Sequence, residues 1–206
     1  MPPAMLDALG ALRWVVDHRG MAAAPPDPTD ETLMLRYAAG ESAAFAPLYA
    51  RHKDGVWRYL LRGSHNEAST AELFQDVWAS VVKSRAAYQP TARFATWLYR
   101  LAHNRLVDHW RAAKPHDELG ETAQELAGHE HETPAARAVQ SEQGARLLAA
   151  LAGLAPEQRE AFLLQAEGGL SLEDIATTQG VGRETAKSRL RYALVKLRKE
   201  LADVWP

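Results

Sequence analysis

Residues 171–201, SLEDIATTQGVGRETAKSRLRYALVKLRKEL, constrain the fold more than any other stretch of the chain. Ser171 stands where it can cap a short helix whose Leu172, Ile175 and Ala176 face inward. Gly180 follows, where a tight turn between helices needs a left-handed backbone that glycine adopts without steric cost. A second helix starts near Arg183, with the inward stripe Ala186, Leu190, Leu194, Leu197 and Leu201 at steps of four, four, three and four. This is helix-turn-helix spacing, and the small Ala176 lets the two helices cross closely. The outward ridge of the second helix begins Arg183, Glu184, Lys187, Ser188 and Arg191, Arg189 adds charge, and Thr185 is a further candidate DNA contact. Such side chains read base edges or hold phosphates. The plainer alternative is an amphipathic helix with a basic, solvated face.

The rest of the chain is helical in pattern and divides in two. From Asp30 to Lys114, Leu33, Tyr37, Phe45, Leu48, Tyr49, Trp57 and Leu61 recur at helical spacing. Ser69 and Glu72 form a capping-box pattern ahead of a helix with Leu73, Phe74, Val77, Trp78 and Val81 on one side. Glu72, Gln75, Asp76, Ala79 and Lys83 line the other side. Tyr88-Gln89-Pro90 breaks this helix, and another runs from about Thr91 to Arg111. Residues 115–142 lose the periodicity and read as a flexible acidic linker. Helix returns from Gly144, with Pro156 in a first turn and Gly168-Gly169 as a stop. Residues 1–20 are set apart by the proline-rich AAAPPDP and read as a dispensable extension, so a chain starting at Met21 should suffice. The expected fold is therefore all-α: two small helical domains on an acidic linker, the second a helix-turn-helix domain. The expected boundaries are an extension at 1–29, a first domain at 30–114, a linker at 115–139 and a second domain at 140–206.

The net charge of -2 hides a pattern. Residues 51–114 hold 11 basic and 5 acidic residues, residues 115–142 hold 1 and 7, and residues 180–201 hold 7 and 2. Two basic blocks around an acidic strip suit two polyanion-binding surfaces. The chain has no cysteine, so thiol catalysis, disulfides and cysteine-bearing zinc sites are excluded. No apolar run is long enough to span a bilayer, and Asp7 and Arg13 interrupt the N-terminal apolar stretch, so a cytoplasmic protein without membrane insertion is expected.

The run LAPEQREAFLLQAEGGLSLEDIA followed by GRETAKSRLRYALVKLRKEL resembles sigma region four of the extracytoplasmic-function (ECF) sigma factors in the sigma-70 family. Ala186 stands where that family usually has a larger aliphatic, and Gly182 where a capping serine is frequent. The first half resembles region two independently. TAELFQDVWASVVKS is similar to the helix that docks on the polymerase clamp, and FATWLYRLAHNRLVDHWR to the helix that opens and reads the minus-ten element.

The resemblance implies a factor that binds core RNA polymerase and directs promoter-specific initiation. Glu72, Gln75 and Asp76 would dock on the polymerase. Arg93, Asn104, Asp108 and Arg111, with a base-capturing loop at about 85–93, would serve the minus-ten element. Residues 183–191 would read the minus-thirty-five element. Promoter DNA and an anti-sigma factor are the further expected partners. From the acidic strip between the two basic blocks, residues 117–132 are expected to pass through a nucleic-acid channel of the polymerase. Phe94 and Trp97 are expected mainly in the core.

No catalysis is expected. Glu72 and Asp76 share a helix face, but no reaction centre is recognisable around them, and a docking surface is the better reading. His129 and His131, beside Glu130 and Glu132, read as a solvated loop before a metal site, so neither metal nor cofactor is expected. The runner-up function is an autonomous helix-turn-helix regulator whose first half senses or dimerises.

Overall fold

A computed structural model describes residues 27–113 and 142–202. The acidic linker, the extension at 1–20 and the His129–His131 loop lie outside the described residues. Among the described residues the regular elements are all helical. They are α1 (Asp30–Ala38), α2 (Phe45–Ser64), α3 (Glu67–Ser84) and α4 (Phe94–Ala113), then α5 (Glu142–Ala152), α6 (Pro156–Gly168), α7 (Leu172–Thr178) and α8 (Arg183–Glu200). Short 3-10 turns lie at Ser42–Ala44 and Arg85–Ala87.

In the first half, α1, α2, α3 and α4 bury one continuous apolar core. Leu33, Met34, Leu48, Val56, Leu60, Val77, Val81, Phe94, Leu98 and Leu106 are each at most 2% exposed. Burying a side chain of this size is worth roughly 1.5–3 kcal/mol, so this core dominates the stability of the half. Rings extend it at one side: Trp78 meets Tyr49 at 4.8 Å and Phe45 at 5.7 Å between centroids. Phe94 is fully buried and Trp97 half-buried, so the core reading of both holds. Tyr99 is buried as well, and the half-buried Trp110 donates its indole N–H to the Gly63 carbonyl at 3.1 Å. Gly63 lets α2 and α4 touch, because a Cβ there would lie 2.3 Å from Leu106 Cδ2.

The start of α3 differs from the expected capping box. The helix begins at Glu67, and Asn66 is its N-cap, its side chain accepting from the Ser69 N–H at 3.0 Å. Ser69 and Glu72 are thus inside the helix. The S-x-x-E pattern matched locally, but an extended asparagine three residues earlier captures the first turn. His65 joins α2 to α3 in the left-handed region, at φ 57°.

In the second half, Pro156 opens α6 and Gly169 ends it at φ 58°. Ser171 and Asp174 form a reciprocal capping box on α7, and Gly180 takes φ 64° in the turn to α8. Across that turn α7 and α8 pack on each other, and both pack on α6. The buried stripe of α8 is Ala186, Ala193, Leu197 and Leu201, with Leu190 half-buried. Leu194, expected inward, is 41% exposed. The stripe steps four, three, four, four, and the small Ala193 takes the inward place.

The halves touch directly. Helix α6 packs on α2 and α4, and α7 packs on α4.

Candidate nucleic-acid interface

Helix α8 presents its first turns outward because Ala186 faces α6 and α7 at full burial. Arg183, Glu184, Thr185, Lys187 and Arg191 are exposed, and Ser188 and Arg189 are half-buried. Two carboxylates hold Arg183: Glu173 at 2.5 Å and Glu184 at 3.5 Å. Glu184 also meets Lys187 at 3.5 Å. Such exposed pairs are worth little in water, so both cations remain exchangeable for phosphate. Arg191 lies over the Tyr192 ring at 5.0 Å. Arg189 turns the other way and donates to Gln179 Oε1 at 3.1 Å, beneath the ridge. Gly182 is the N-cap of α8 and offers no side-chain hydrogen bond, as its departure from the family pattern implies. The N–H groups of the first turn therefore stay open toward solvent.

On α4, Asn104, Asp108 and Arg111 are exposed on one side. Asp108 and Arg111 pair at 3.6 Å, with both side chains largely in solvent. Arg93 lies apart from them, in the segment before α4, and donates to the Gly169 carbonyl of the second half at 3.0 Å. In the loop at 85–93, Ala86, Ala87 and residues 89–93 are exposed, whereas Tyr88 is 6% exposed. Burial, with Glu31 and Asp30 nearby, pushes the Tyr88 hydroxyl up to about 12. Glu72, Gln75 and Asp76 are all exposed on α3. The structure therefore brings Asn104, Asp108 and Arg111 together, and likewise the docking trio, but places Arg93 apart from the α4 face and turns the Arg189 side chain toward Gln179.

A set of charged residues that sequence reasoning passed over lies between the halves. Glu160 of α6, 8% exposed, accepts from the Tyr59 hydroxyl at 3.1 Å, from His103 Nδ1 and from Gln179 Nε2 at 2.9 Å. Burial alone would raise the Glu160 carboxyl. The hydrogen bond and charge of His103, joined by Gln179 and Tyr59, outweigh burial and hold it below its ordinary value. Glu167 pairs with Arg58 at 2.7 Å and with Arg62. The Tyr99 hydroxyl donates to the Glu167 carbonyl at 2.7 Å, and burial followed by the Glu167 charge raises it above the ordinary tyrosine range. Arg58 and Glu167 are 109 residues apart, so no local pattern announces the pair.

The family model for sigma-70 region 2 matches residues 48–115, and that for sigma-70 region 4 matches residues 144–197. The chain is 33% identical over 174 residues to the RNA polymerase sigma factor CarQ of Myxococcus xanthus, covering 83% of this chain and 97% of that protein. The chain is an ECF sigma factor of the sigma-70 family. The ECF sigma factor SigL of Mycobacterium tuberculosis (strain ATCC 25618 / H37Rv) is also 33% identical, over 81% of this chain and 94% of SigL. Two solved structures share the fold. One is CnrH in complex with the cytosolic domain of CnrY, at TM-score 0.62 and 24% identity, covering 86% of this chain and 99% of CnrH. The other is the sigma factor RpoE in complex with the anti-sigma factor NepR from Bartonella quintana, at TM-score 0.62 and 21% identity, covering 77% of this chain and 96% of RpoE.

As an ECF sigma factor, the chain directs promoter-specific transcription initiation and is not an enzyme. The autonomous regulator falls away, because the first half matches region two rather than a sensor. No helix among the described residues is long and apolar enough to cross a membrane.

Proposed function

We propose that this sigma factor divides promoter reading between its halves. The observation that carries the reading is two separate exposed polar faces on one chain: the α8 ridge and the Asn104–Asp108–Arg111 face of α4. The α8 ridge, Arg183, Glu184, Thr185, Lys187, Ser188 and Arg191, reads the minus-thirty-five element in the major groove. Arg189 belongs to that surface as a positioning residue, tying α8 to Gln179. Asn104 and Arg111 meet the minus-ten strand, with Asp108 orienting Arg111 and Arg93 joining from the preceding loop. Glu72, Gln75 and Asp76 dock on core RNA polymerase, which performs the phosphoryl transfer. The protein works in the cytoplasm, where promoter DNA and polymerase are found, and an anti-sigma factor is its natural antagonist. Support for that partner is the fold shared with two sigma factors solved in complexes, RpoE with the anti-sigma factor NepR and CnrH with a CnrY domain.

The test is transcription with purified core polymerase on a genomic promoter library. A defined subset of promoters should fire only when this chain is added. Transcripts with no common upstream and minus-ten sequence, or none at all, would refute the reading.

A further inference from the structure

We propose that Gln179 is a positioning residue for reading the minus-thirty-five element: its side-chain amide ties Arg189 of α8 to Glu157 and Glu160 of α6, and so sets the rotation of the recognition helix in the groove. The inference rests on the assignment of the α8 ridge to the minus-thirty-five element, and goes beyond it by naming what aims the ridge.

The amide sits where three helices meet. Gln179 ends α7 as its C-cap, one residue before the turn at Gly180. Its Nε2 donates to the Glu157 carbonyl at 3.0 Å and to Glu160 Oε2 at 2.9 Å, both on α6. Its Oε1 accepts from Arg189 Nη1 at 3.1 Å, on α8. All four residues belong to region four, so the junction is complete within that domain.

The chemistry permits one arrangement of the amide. A carbonyl and an ionised carboxylate only accept, and a guanidinium only donates. Burial opposes ionisation of Glu160, but its hydrogen-bond partners, His103 foremost, keep the carboxyl below its ordinary value, so it is charged at neutral pH. The amide nitrogen must therefore face α6 and the amide oxygen α8. Glutamate at 179 would meet Glu160 with like charge. An aliphatic residue there would take the acceptor from the half-buried Arg189.

The rest of the seam specifies the rotation of α8 weakly. The turn into the helix passes through Gly180 at φ 64° and through Gly182, which gives α8 no side-chain cap. The fully buried residues in the first three turns are Ala186 and Ala193, with Leu190 half-buried between them. Single methyls make shallow ridges that interlock little with a neighbouring helix. A second polar tie, from Glu173 to Arg183, is exposed on both sides and worth little in water.

Rotation matters to the ridge. Side-chain tips lie about 6 Å from a helix axis, so turning α8 by about 20° moves them about 2 Å. Hydrogen bonds to base edges do not survive such a shift. Arg189 and Arg191 stand about 200° apart around the helix, so Arg189 holds the junction while Arg191 stays on the exposed ridge.

The test uses the full chain with core polymerase on promoters randomised across the minus-thirty-five element. Gln179→Leu and Arg189→Met each cut the junction, and Arg191→Ala is the comparison for a direct base contact. Arg189→Met keeps a good helix former, so it decides the matter even if circular dichroism shows that Gln179→Leu does not fold. Both junction variants should lower selectivity at several adjacent positions at once, by about five-fold or more, the lower end for a lost base contact. Arg191→Ala should affect one position. The double variant should match the single ones, because the same contact is cut. The salt dependence of promoter binding and the minus-ten preference should stay as in the parent. Parental selectivity in Arg189→Met, or additive losses in the double variant, would overturn the proposal. So would uniform weakening on all sequences in Arg189→Met with a log–log salt slope shallower by about 0.9, the mark of a lost phosphate contact. A shift with Arg191→Ala but none with the junction variants would remove Gln179 and leave the reading of α8 standing. No upstream preference in the parent would overturn that reading and the proposal with it.

Discussion

Glu160 shows how one residue couples stability to pH. Its carboxyl is held below the ordinary glutamate value of about 4.3 in the folded chain. A depressed carboxylate contributes stability that is full above the unfolded value and is lost as pH falls through the folded one. Stability should therefore drop in acid below about pH 4.3, and Glu160→Gln should flatten that part of the curve in chemical denaturation at several pH values. A slope unchanged by the substitution would remove Glu160 from the account. Gly182 is the complementary case, a cap with its side chain missing. Its φ of -69° is ordinary and a Cβ would meet nothing within 4 Å, so serine fits there. Gly182→Ser should stabilise region four by a few tenths of a kcal/mol, read as a shift in the urea midpoint. That position was legible in the sequence because caps are local. The partners of Glu160 were not, because Tyr59 and His103 lie 101 and 57 residues away.

At the scale of elements, periodicity carried most of the fold. Ser171, Gly180 and Ala186 announced the helix-turn-helix, and the structure places a capping box, a left-handed turn and a fully buried alanine there. Pattern alone failed where two local solutions compete. Ser69 and Glu72 satisfied the capping rule, yet Asn66 caps α3. Asn66→Ala should cost about 1 kcal/mol of stability, whereas Ser69→Ala should cost less, since its side chain caps nothing at the start of α3. Equal losses in thermal or urea unfolding would restore the original reading. Leu194 and Ala193 show the same limit, because a stripe of leucines looks inward whatever the partner helix permits. Helix α3 carries the docking prediction. Glu72→Lys with Asp76→Lys should weaken binding to core polymerase at least ten-fold in a titration, with helicity and melting nearly unchanged, because exposed positions contribute little to stability. Unchanged affinity would move the docking surface elsewhere.

For the whole molecule, the arrangement that matters is two reading faces on separable bodies. The candidate site was legible as two lists of residues, but not as a closed seam that ties Arg93 to the second half. The division of reading between the halves can be measured with a randomised promoter library, transcribed with core polymerase and the parent, Arg191→Ala or Asn104→Ala. Losing a base contact should cost about 1–3 kcal/mol and relax preference at one position, whereas losing a phosphate contact should weaken all sequences alike. Arg191→Ala should alter preference only in the minus-thirty-five element, and Asn104→Ala only at the minus-ten element or in opening. A shift at minus-ten positions with Arg191→Ala, or at upstream positions with Asn104→Ala, would contradict the division of labour between the two halves.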